Sequence, residues 1–388
     1  MHRLRVIMVF LFVGLGLINS PQSRAQTAGI PMFRGNPAHT GALPGPGPDV
    51  DDGIVELWRV HTGDRVDSGP AVVDGVVYIG SEDGSLYALD AADGAERWRF
   101  KTDDFVVSSP AVIDGTVYVA SFDGYLYALN AATGEERWHL RLFSTASSPT
   151  VVDNVVYVGS SDGHLYAVDA VTGQERWRFF TTGNINSSPA VVDGVVYVGS
   201  NDRAVYSLNA ETGKMLWRFI TGGKVFSSPA VVDGTVYVGC SDHNVYALDS
   251  VTGKEVWRFQ TGDKVDSSPT VAEGVVYIGS WDHTVYALDA KTGRERWRFY
   301  TGNPVIISPV VVDGVVYVGS SDLNLYMLDA VSGEMRQHFH TSADYVTTAP
   351  AVIDGVVYVG LYYGGVLALG NITPQMKRSH PFPGTPEP

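Results

Sequence analysis

The residue types best suited to holding a metal ion lie in two equivalent turns of this sequence. His243 and His283 follow Asp242 and Asp282 at the same place in a forty-residue pattern. If these turns belong to neighbouring sheets they lie about 10 Å apart, whereas the ligands of one ion lie about 2 Å from it. We therefore expect no metal site. The sequence also contains no Ser-His-Asp, paired-carboxylate or phosphate-binding spacing, so we predict no catalytic residues and no cofactor.

Recognition through aromatic and acidic side chains is a second kind of chemistry, indicated by residues that break the pattern. Trp281 lies in a turn, unlike the other tryptophans, and we expect it to form a patch with Asp266 and Phe226. Exposed aromatic residues anchor interfaces. The candidate partner-binding residues are Trp281, Phe226, Asp266, His283, Tyr362 and Phe122. We expect Tyr362 and Phe122 elsewhere around the rim, away from this patch. Two alternatives stay open: Trp281 buries itself over a neighbouring loop, or it forms a stacking platform for a sugar or quinone ring.

These candidates are positioned by an internal repeat. A proline recurs after small residues at Pro70, Pro110, Pro149, Pro189, Pro229, Pro269, Pro309 and Pro350. The first and last of these are 280 residues apart over seven intervals, which gives a mean period of 40. Each unit consists of short β-branched runs between turn residues, without a helical period, and therefore predicts strands.

Three turns divide each unit. The first is mostly a two-residue Asp-Gly link, such as Asp233-Gly234, which favours a type I′ hairpin. The second turn, as at residues 81–84, again carries Asp, and the third is mostly a Thr-Gly link such as Thr292-Gly293. Three hairpins in forty residues give a four-stranded antiparallel meander, which is one blade of a β-propeller. Its second turn and the connection between blades share one end, called the turn face below.

The ring is predicted to close with a strand from the front of the chain. The eighth unit offers three strands before Thr373-Pro374, whereas Ile54 to Val60 is an unpaired fourth strand. We predict an all-β, single eight-bladed propeller at residues 54–373, closed by this strand, with an irregular arm at 26–53 and a proline-rich flexible tail at 374–388. We interpret the tryptophans that recur in the fourth strand as structural residues that fill the gap between sheets: Trp58, Trp98, Trp138, Trp177, Trp217, Trp257 and Trp297.

The first residues have the pattern of a secretion signal. Arg3 and Arg5 precede thirteen apolar residues, and Ser23 and Ala25 favour cleavage after residue 25. Thirteen residues fall short of the roughly 20 that span a bilayer, so we expect a signal peptide at 1–25; an uncleaved anchor is the alternative. We predict an exported, soluble protein of the periplasm or the extracellular space, with no integral membrane segment after cleavage.

The net charge limits the classes of partner that we expect, and the cysteine content limits the covalent modifications. The formal net charge is −15, and removal of residues 1–25 with their three arginines leaves 24 − 42 = −18. So acidic a surface repels phosphate groups, and we expect neither nucleic acid nor anionic lipid as a partner. Cys240 is the only cysteine, so we expect no internal disulfide and no lipidated N-terminal cysteine. The predicted protein is a monomer and not a lipoprotein.

Three segments, Ala128 to Trp138, Ala247 to Trp257 and Ala287 to Trp297, resemble the tryptophan-docking motif of the pyrroloquinoline quinone (PQQ) repeat family. Phe33 to Gly41 also resembles the lead-in before such repeats in exported bacterial proteins. The resemblance covers about residues 54–373 and implies an eight-bladed propeller. It implies one of two functions: a quinoprotein dehydrogenase with PQQ and calcium, or a cofactor-free propeller such as the one in the outer-membrane β-barrel assembly machinery.

Two departures from the dehydrogenase branch favour the second function. The large quinoprotein alcohol dehydrogenases carry adjacent cysteines and long insertions, whereas this chain has one cysteine and units spaced at 39 to 41 residues. Such short loops leave little protein to hold a cofactor. We predict an exported, non-catalytic scaffold that binds a protein or polymer of the cell envelope on its turn face. A PQQ-dependent oxidoreductase and a carbohydrate-binding module are the alternatives.

Overall fold

The structure is a computed structural model that describes residues 29–342 and 344–371. The predicted signal peptide (1–25) and tail (374–388) lie outside the described residues. The described chain is an all-β propeller of eight blades, each with four antiparallel strands, which confirms the predicted fold. Within the described ranges, no helix is long and apolar enough to cross a membrane.

Two strands precede the first full set, β1 (Gly29–Ile30) and β2 (Val55–Val60), with 3₁₀ turns at Phe33–Gly35 and Val50–Asp52. Blades 1 to 4 contain, innermost strand first, β3 to β6 (Ala71–Val73, Val76–Ser81, Ser85–Asp90, Glu96–Lys101), β7 to β10 (Ala111–Ile113, Thr116–Ala120, Tyr125–Asn130, Glu136–Arg141), β11 to β14 (Thr150–Val152, Val155–Gly159, His164–Asp169, Glu175–Phe180) and β15 to β18 (Ala190–Val192, Val195–Ser200, Ala204–Asn209, Met215–Ile220).

Blades 5 to 8 continue the same order. They contain β19 to β22 (Ala230–Val232, Thr235–Cys240, Asn244–Asp249, Glu255–Gln260), β23 to β26 (Thr270–Ala272, Val275–Ser280, Thr284–Asp289, Glu295–Tyr300), β27 to β30 (Val310–Val312, Val315–Ser320, Asn324–Asp329, Met335–His340) and, in blade 8, β31 to β33 (Ala351–Ile353, Val356–Leu361, Gly365–Gly370) together with β2.

The first hairpin of each blade has the conformation that an Asp-Gly sequence favours, also where Asp153-Asn154 and Glu273-Gly274 replace it. In blade 5, Asp233 has φ 48° and Gly234 has φ 73°, and a type I′ turn needs positive φ at both central residues. The turn fixes the register Val232↔Thr235 and Ala230↔Tyr237. Since side chains alternate between the two faces of a sheet, this register sets which side chains enter the interior on each side of the blade.

The ring closes as the sequence predicts. Strand β2 pairs antiparallel with β33, from Val55↔Gly370 to Val60↔Val366, so the two ends of the repeat region share blade 8. Trp58 then occupies the same place as the other fourth-strand tryptophans, and its indole Nε1 donates to the carbonyl of Ala91 in blade 1 at 3.0 Å. The closing strand begins at Val55, one residue after the predicted start.

Neighbouring blades are joined by a tryptophan and a tyrosine that share one acceptor. In blade 5, Trp257 Nε1 and Tyr237 Oη both donate to the carbonyl of Ala290 in blade 6, at 2.9 and 3.1 Å. Gly293 in the same turn supports the indole face, because a Cβ there would lie 2.6 Å from Trp257 Cδ2. The same indole bond is made by Trp58, Trp98, Trp138, Trp177, Trp217 and Trp297.

A chain of serine hydrogen bonds joins the blades closer to the axis. The backbone N–H of Ser148 donates to Ser188 Oγ at 2.9 Å, and Ser188 N–H donates to Ser228 Oγ at 2.8 Å. The chain runs from Gly69 through Ser109 and Ser268 to Ser308. The serine hydroxyls before the repeated proline therefore accept hydrogen bonds from buried backbone N–H groups of the preceding blade. Without these acceptors the N–H groups would be buried and unpaired, which would lower stability.

The arm before β2 lies along the innermost strands. Ile30 pairs with Val72 of β3, and the carbonyls of Pro37, Ala38, Thr40 and Gly41 accept from the innermost strands of blades 4, 5, 6 and 7 at 2.8 to 3.0 Å. His39, fully buried, contacts Thr150 Oγ1 of blade 3 through Nε2 at 3.1 Å. Burial, and then the charge of Arg34, lowers the pKa of His39 to about 3, so its imidazole is neutral.

Blade 7 is the exception to the tryptophan pattern, because Gln337 stands at that position. The 3₁₀ turn Val50–Asp52 lies against its outer strand. Val50 belongs to the same buried cluster as Tyr317, the second-strand tyrosine of this blade, and Arg336 forms an ion pair with Asp51. The arm therefore adds apolar and ionic contacts at the junction that lacks an indole.

Candidate functional site

The turn face is held by one backbone hydrogen bond that recurs in all eight blades. The N–H of the second-turn residue donates to a carbonyl of the connection between blades, as from Trp281 to Lys264 at 2.9 Å and from Tyr362 to Tyr345 at 3.1 Å. The second turn and the connection therefore lie side by side at one end of the propeller. The same bond is made in the other blades by Glu82, Phe122, Ser161, Asn201, Ser241 and Ser321.

The aspartate of the second turn is used by the turn itself. Asp282 Oδ2 accepts from Tyr286 Oη at 2.7 Å and from the N–H of Gly262 at 2.6 Å. Six further blades contain the same tyrosine–aspartate pair, and Tyr87, Tyr127, Tyr166, Tyr206, Tyr246 and Tyr326 are the donors. These carboxylates fix backbone geometry, which leaves the residue just before each of them free to vary in type.

Trp281 and Asp266, which the sequence groups together, are in contact. Trp281 Nε1 donates to Asp266 Oδ2 at 2.9 Å, and the other carboxylate oxygen accepts from Ser241 Oγ of blade 5 at 2.7 Å. Lys264 Nζ lies 5.2 Å from the centroid of the indole. Trp281 is still 36% exposed, so its ring is oriented by Asp266 without being covered by a loop.

One depression of the turn face runs from Trp281 across blade 7 to blades 8 and 1. Its volume is about 670 Å³. Small Ser321 stands at the second turn of blade 7, so the space between Trp281 and Tyr362 is open. The lining residues are Arg65, Asp67, Trp281, Asn303, Pro304, Ile306, Ser321, Tyr345, Val346, Thr347 and Tyr362.

The side of the depression opposite Trp281 is an aromatic and cationic stack. The rings of Tyr345 and Tyr362 lie 4.4 Å apart with an interplanar angle of 24°. The guanidinium of Arg65 lies 4.8 Å from the Tyr362 centroid, and its Nε donates to Asp67 Oδ1 at 2.6 Å. Burial raises the pKa of Asp67 above its ordinary value, although the bond to Arg65 opposes this.

The structure separates the six candidate residues into two groups. Trp281 and Tyr362 line one depression, which corrects the expectation that Tyr362 lies elsewhere around the rim, and Asp266 holds Trp281. The other three do not line it. Phe226 lies 5.9 Å from Lys224 Nζ, Phe122 pairs with Phe105 at 6.2 Å, and His283 is exposed in a left-handed turn conformation with φ 67°.

Sequence reasoning missed the residues that complete the depression. Arg65, Pro304 and Tyr345 occupy the connection position whose carbonyl accepts the second-turn N–H. That position also varies from blade to blade, and Lys264 stands there in blade 6. A comparison of the eight connections would have found it, because equivalent positions at one end of the ring border the same space.

The side chains that could do metal or nucleophilic chemistry are dispersed or buried. Among residues 29–342 and 344–371, no three His, Cys, Asp or Glu side chains cluster as metal ligands. His243 Nε2 lies 3.8 Å from Asp263, an exposed pair. Cys240 is fully buried, and burial raises the pKa of its thiol to about 11. The described residues thus offer neither a calcium ligand set nor a reactive thiolate.

Comparison with known proteins gives a family and a fold. The profile of the family described as outer membrane protein assembly factor BamB matches residues 50–184, 161–264 and 241–383. A search of curated proteins found no match. Among solved structures, BamB from Moraxella catarrhalis is 20% identical, with a TM-score of 0.71, over 82% of this chain and 97% of that one.

Two enzymes share the fold at lower identity. Quinohemoprotein alcohol dehydrogenase from Comamonas testosteroni is 17% identical, with a TM-score of 0.76, over 89% of this chain and 81% of that one. A europium-containing methanol dehydrogenase is 14% identical, with a TM-score of 0.78, over 88% of this chain and 98% of that one. At these identities the three structures establish the propeller alone.

Proposed function

The chain belongs to the family of outer membrane protein assembly factor BamB, and we propose that within this family it is a non-catalytic scaffold of the cell envelope. It binds a protein partner through the depression of its turn face. One observation carries the proposal. Blades 6, 7, 8 and 1 each contribute side chains that differ from those at the equivalent positions of other blades, and these side chains line one depression of about 670 Å³.

The composition of the depression supports a protein interface. Trp, Tyr and Arg are the residue types that dominate binding energy at such interfaces, and Trp281, Tyr362 and Arg65 all line the depression. Each is held by a neighbour: Trp281 by Asp266, and Tyr362 by Tyr345 and Arg65. Side chains that are ordered before binding lose less entropy when a partner arrives.

A protein segment with both apolar and charged side chains fits this lining. Ile306 and Pro304 offer apolar contact between the two aromatic sides, while Asp67 and Asn303 offer polar contact. A carbohydrate polymer is the alternative, because sugar rings also stack on aromatic side chains. A glycan array would distinguish the two: binding to sugars that Trp281→Ala abolishes would replace a protein by a carbohydrate as the ligand.

Export to the periplasm or the extracellular space is part of the proposal. It is supported by the signal pattern of residues 1–25 and by family membership. The monomeric state and the absence of lipidation remain predictions. Fractionation of cells that express the full chain, with mass measurement of the mature N-terminus, would test cleavage after residue 25.

The central experiment is cross-linking at the depression. A photoreactive amino acid replaces Ile306, cross-linked species are isolated from envelope extract, and the partner is identified, purified and titrated against the protein. We expect the double variant Trp281→Ala/Tyr362→Ala to weaken binding at least about tenfold, since each residue is of a hot-spot type. Phe122→Ala, on the same face but outside the depression, is the matched control and should bind normally. Equal binding by all three proteins would contradict the proposal.

The dehydrogenase alternative has a separate test. Its support is the shared propeller fold, and it requires residues that hold PQQ and calcium. After addition of both, the proposal expects no dye reduction with alcohols or sugars and no new absorbance from bound quinone. Stoichiometric quinone in the purified protein would overturn the non-catalytic assignment.

A further inference from the structure

The outer strands of the eight blades differ in how they are protected against pairing with another strand. Each outer strand is the last in its sheet, and such an edge presents unpaired backbone groups that template a further strand. Proteins commonly block these edges with charged side chains or cover them. In this propeller, six of the eight edges carry a glutamate two residues before the repeated tryptophan: Glu56, Glu96, Glu136, Glu175, Glu255 and Glu295.

In most blades this glutamate belongs to an ion pair on the outer strand. Glu96 pairs with Arg99 at 2.6 Å and Glu255 with Arg258 at 2.8 Å. A second pair ties the strand to the preceding turn in blades 1, 3 and 6, as between Arg296 and Asp289 at 2.7 Å. These pairs place charges of both signs along the exposed face of the edge.

Strand β18 of blade 4 can form neither of these two ion pairs. Met215 stands in place of the glutamate, Leu216 in place of the arginine and Asn209 in place of the turn aspartate. Met215 is 46%, Leu216 53% and Ile220 57% exposed. Arg218 is the one charged residue of the strand, which contains no carboxylate to pair with it.

Blade 7 provides an internal comparison, because its outer strand also begins with methionine, Met335. There the 3₁₀ turn Val50–Asp52 lies against β30 and Asp51 pairs with Arg336, although Met335 itself stays 48% exposed. In blade 7, therefore, an aspartate from another segment meets the arginine of an edge that lacks the glutamate. No described segment plays this part for β18, which ends its four-stranded sheet.

We propose that β18 is a second docking surface, which accepts an extended strand of a partner protein with alternating apolar residues and a carboxylate opposite Arg218. Main-chain hydrogen bonds to an exposed edge are a known mode of peptide recognition, and alternate side chains of the incoming strand meet Met215, Leu216 and Ile220. This surface is separate from the turn-face depression. A second copy of the chain fits poorly, because its β18 has no carboxylate for Arg218 and each copy carries −15.

The test uses the full chain and a labelled ten-residue probe of alternating valine and threonine with one central glutamate. Three proteins are compared by fluorescence anisotropy: wild type, Met215→Glu/Leu216→Arg, and Val256→Arg. Both variants restore the residues that other blades carry, so both should fold. We expect the double variant to bind the probe at least about tenfold more weakly, because it restores a charged edge, and Val256→Arg in blade 5 to bind as wild type does.

Two further measurements separate strand addition from simple apolar contact. Hydrogen exchange should show new protection of backbone amides within residues 215–220 when the probe binds, and a probe with central lysine should bind more weakly than the glutamate probe. Absence of probe binding, equal loss in both variants, or binding without protection of β18 would each overturn the proposal. Sedimentation that shows a wild-type dimer dissociated by Met215→Glu/Leu216→Arg would also overturn it, since the occupant would be a second copy.

Discussion

The junctions between blades and the turn face are built from the same repeat, but they differ in which groups are kept constant. At seven of the eight junctions an indole donates to a carbonyl of the next blade. On the turn face the backbone bond of the second turn is constant, and so is the turn aspartate in seven blades. The side chain just before this aspartate position ranges from serine to tryptophan. The junctions hold the ring, and the turn face presents variable side chains on a fixed backbone.

The largest expected difference in stability is between two tryptophan-to-alanine variants, one at a junction between blades and one on the turn face. Trp297→Ala removes a buried indole from a junction and should lower the free energy of unfolding by about 3–5 kcal/mol. Trp281→Ala on the turn face should change it by less than about 0.5 kcal/mol, because the indole is partly exposed. Denaturant titration of both variants would measure this. Similar losses in the two variants would contradict the comparison.

Glycine substitutions sharpen the comparison between a turn at a junction in blade 6 and the first hairpin of blade 7. Gly293 and Gly314 both have positive φ, 68° and 73°, so alanine is strained at either site. A Cβ on Gly293 would lie 2.6 Å from Trp257, whereas one on Gly314 would meet nothing within 4 Å. Gly293→Ala should therefore cost about 1–3 kcal/mol more than Gly314→Ala. Thermal melts of the two variants would show the difference, and equal melting temperatures would mean that the indole shifts without cost.

A serine substitution tests the chain of hydrogen bonds near the axis. Ser148→Ala leaves the buried N–H of Ser109 without its acceptor and should cost about 1–2 kcal/mol. Ser161→Ala, at a second turn of the same blade, should be close to neutral. If both variants unfold at the same denaturant concentration, the serine chain contributes little to stability.

The smallest effect concerns charges at the outer rim. The bonds from Arg296 and Thr292 lower the pKa of Asp289 to about 2, below its ordinary value of 3.8. A lowered folded-state pKa contributes stability above about pH 4, and this is lost as the pH falls towards 2. Since the pair is exposed, its contribution at pH 7 should be below about 1 kcal/mol. Arg296→Leu should flatten the pH dependence of stability between pH 4 and 2, and 1 M salt should reduce the difference from wild type.

The fold could be predicted because the same pattern of strands and turns recurs in eight units of the sequence. Asp-Gly turns, the forty-residue period and the displaced strand with Trp58 are enough to predict the blade, the number of blades and the closure. Each signal is local or periodic: a turn needs particular residues, and a ring of identical units must close. The path of the arm was less predictable. Its contacts with the innermost strands are made by backbone carbonyls, which every residue type has, so the sequence does not indicate them.

The candidate site could be predicted only in part. Trp281 and Asp266 could be grouped as neighbours because both belong to one blade: the N–H of Trp281 donates to the carbonyl of Lys264, and Asp266 follows two residues later. Tyr362 was misplaced because a distance across three blades depends on how far the ring curves and on the size of the residue between, here Ser321. Arg65 and Tyr345 were missed because both contact Tyr362 where the ring closes, and there positions about 280 residues apart in sequence are neighbours in space.

The pairing of β2 with β33 bears on how this protein is made. The partners Val60 and Val366 come from opposite ends of the repeat region. Strand β2 is therefore made early in synthesis, but its partner β33 is the last strand of the propeller to be made. Until residue 370 is available, β2 keeps an exposed edge and Trp58 has no completed blade beside it. Chains that stop short of β33 should therefore aggregate or be degraded, and quality control would act on the finished molecule as a single unit.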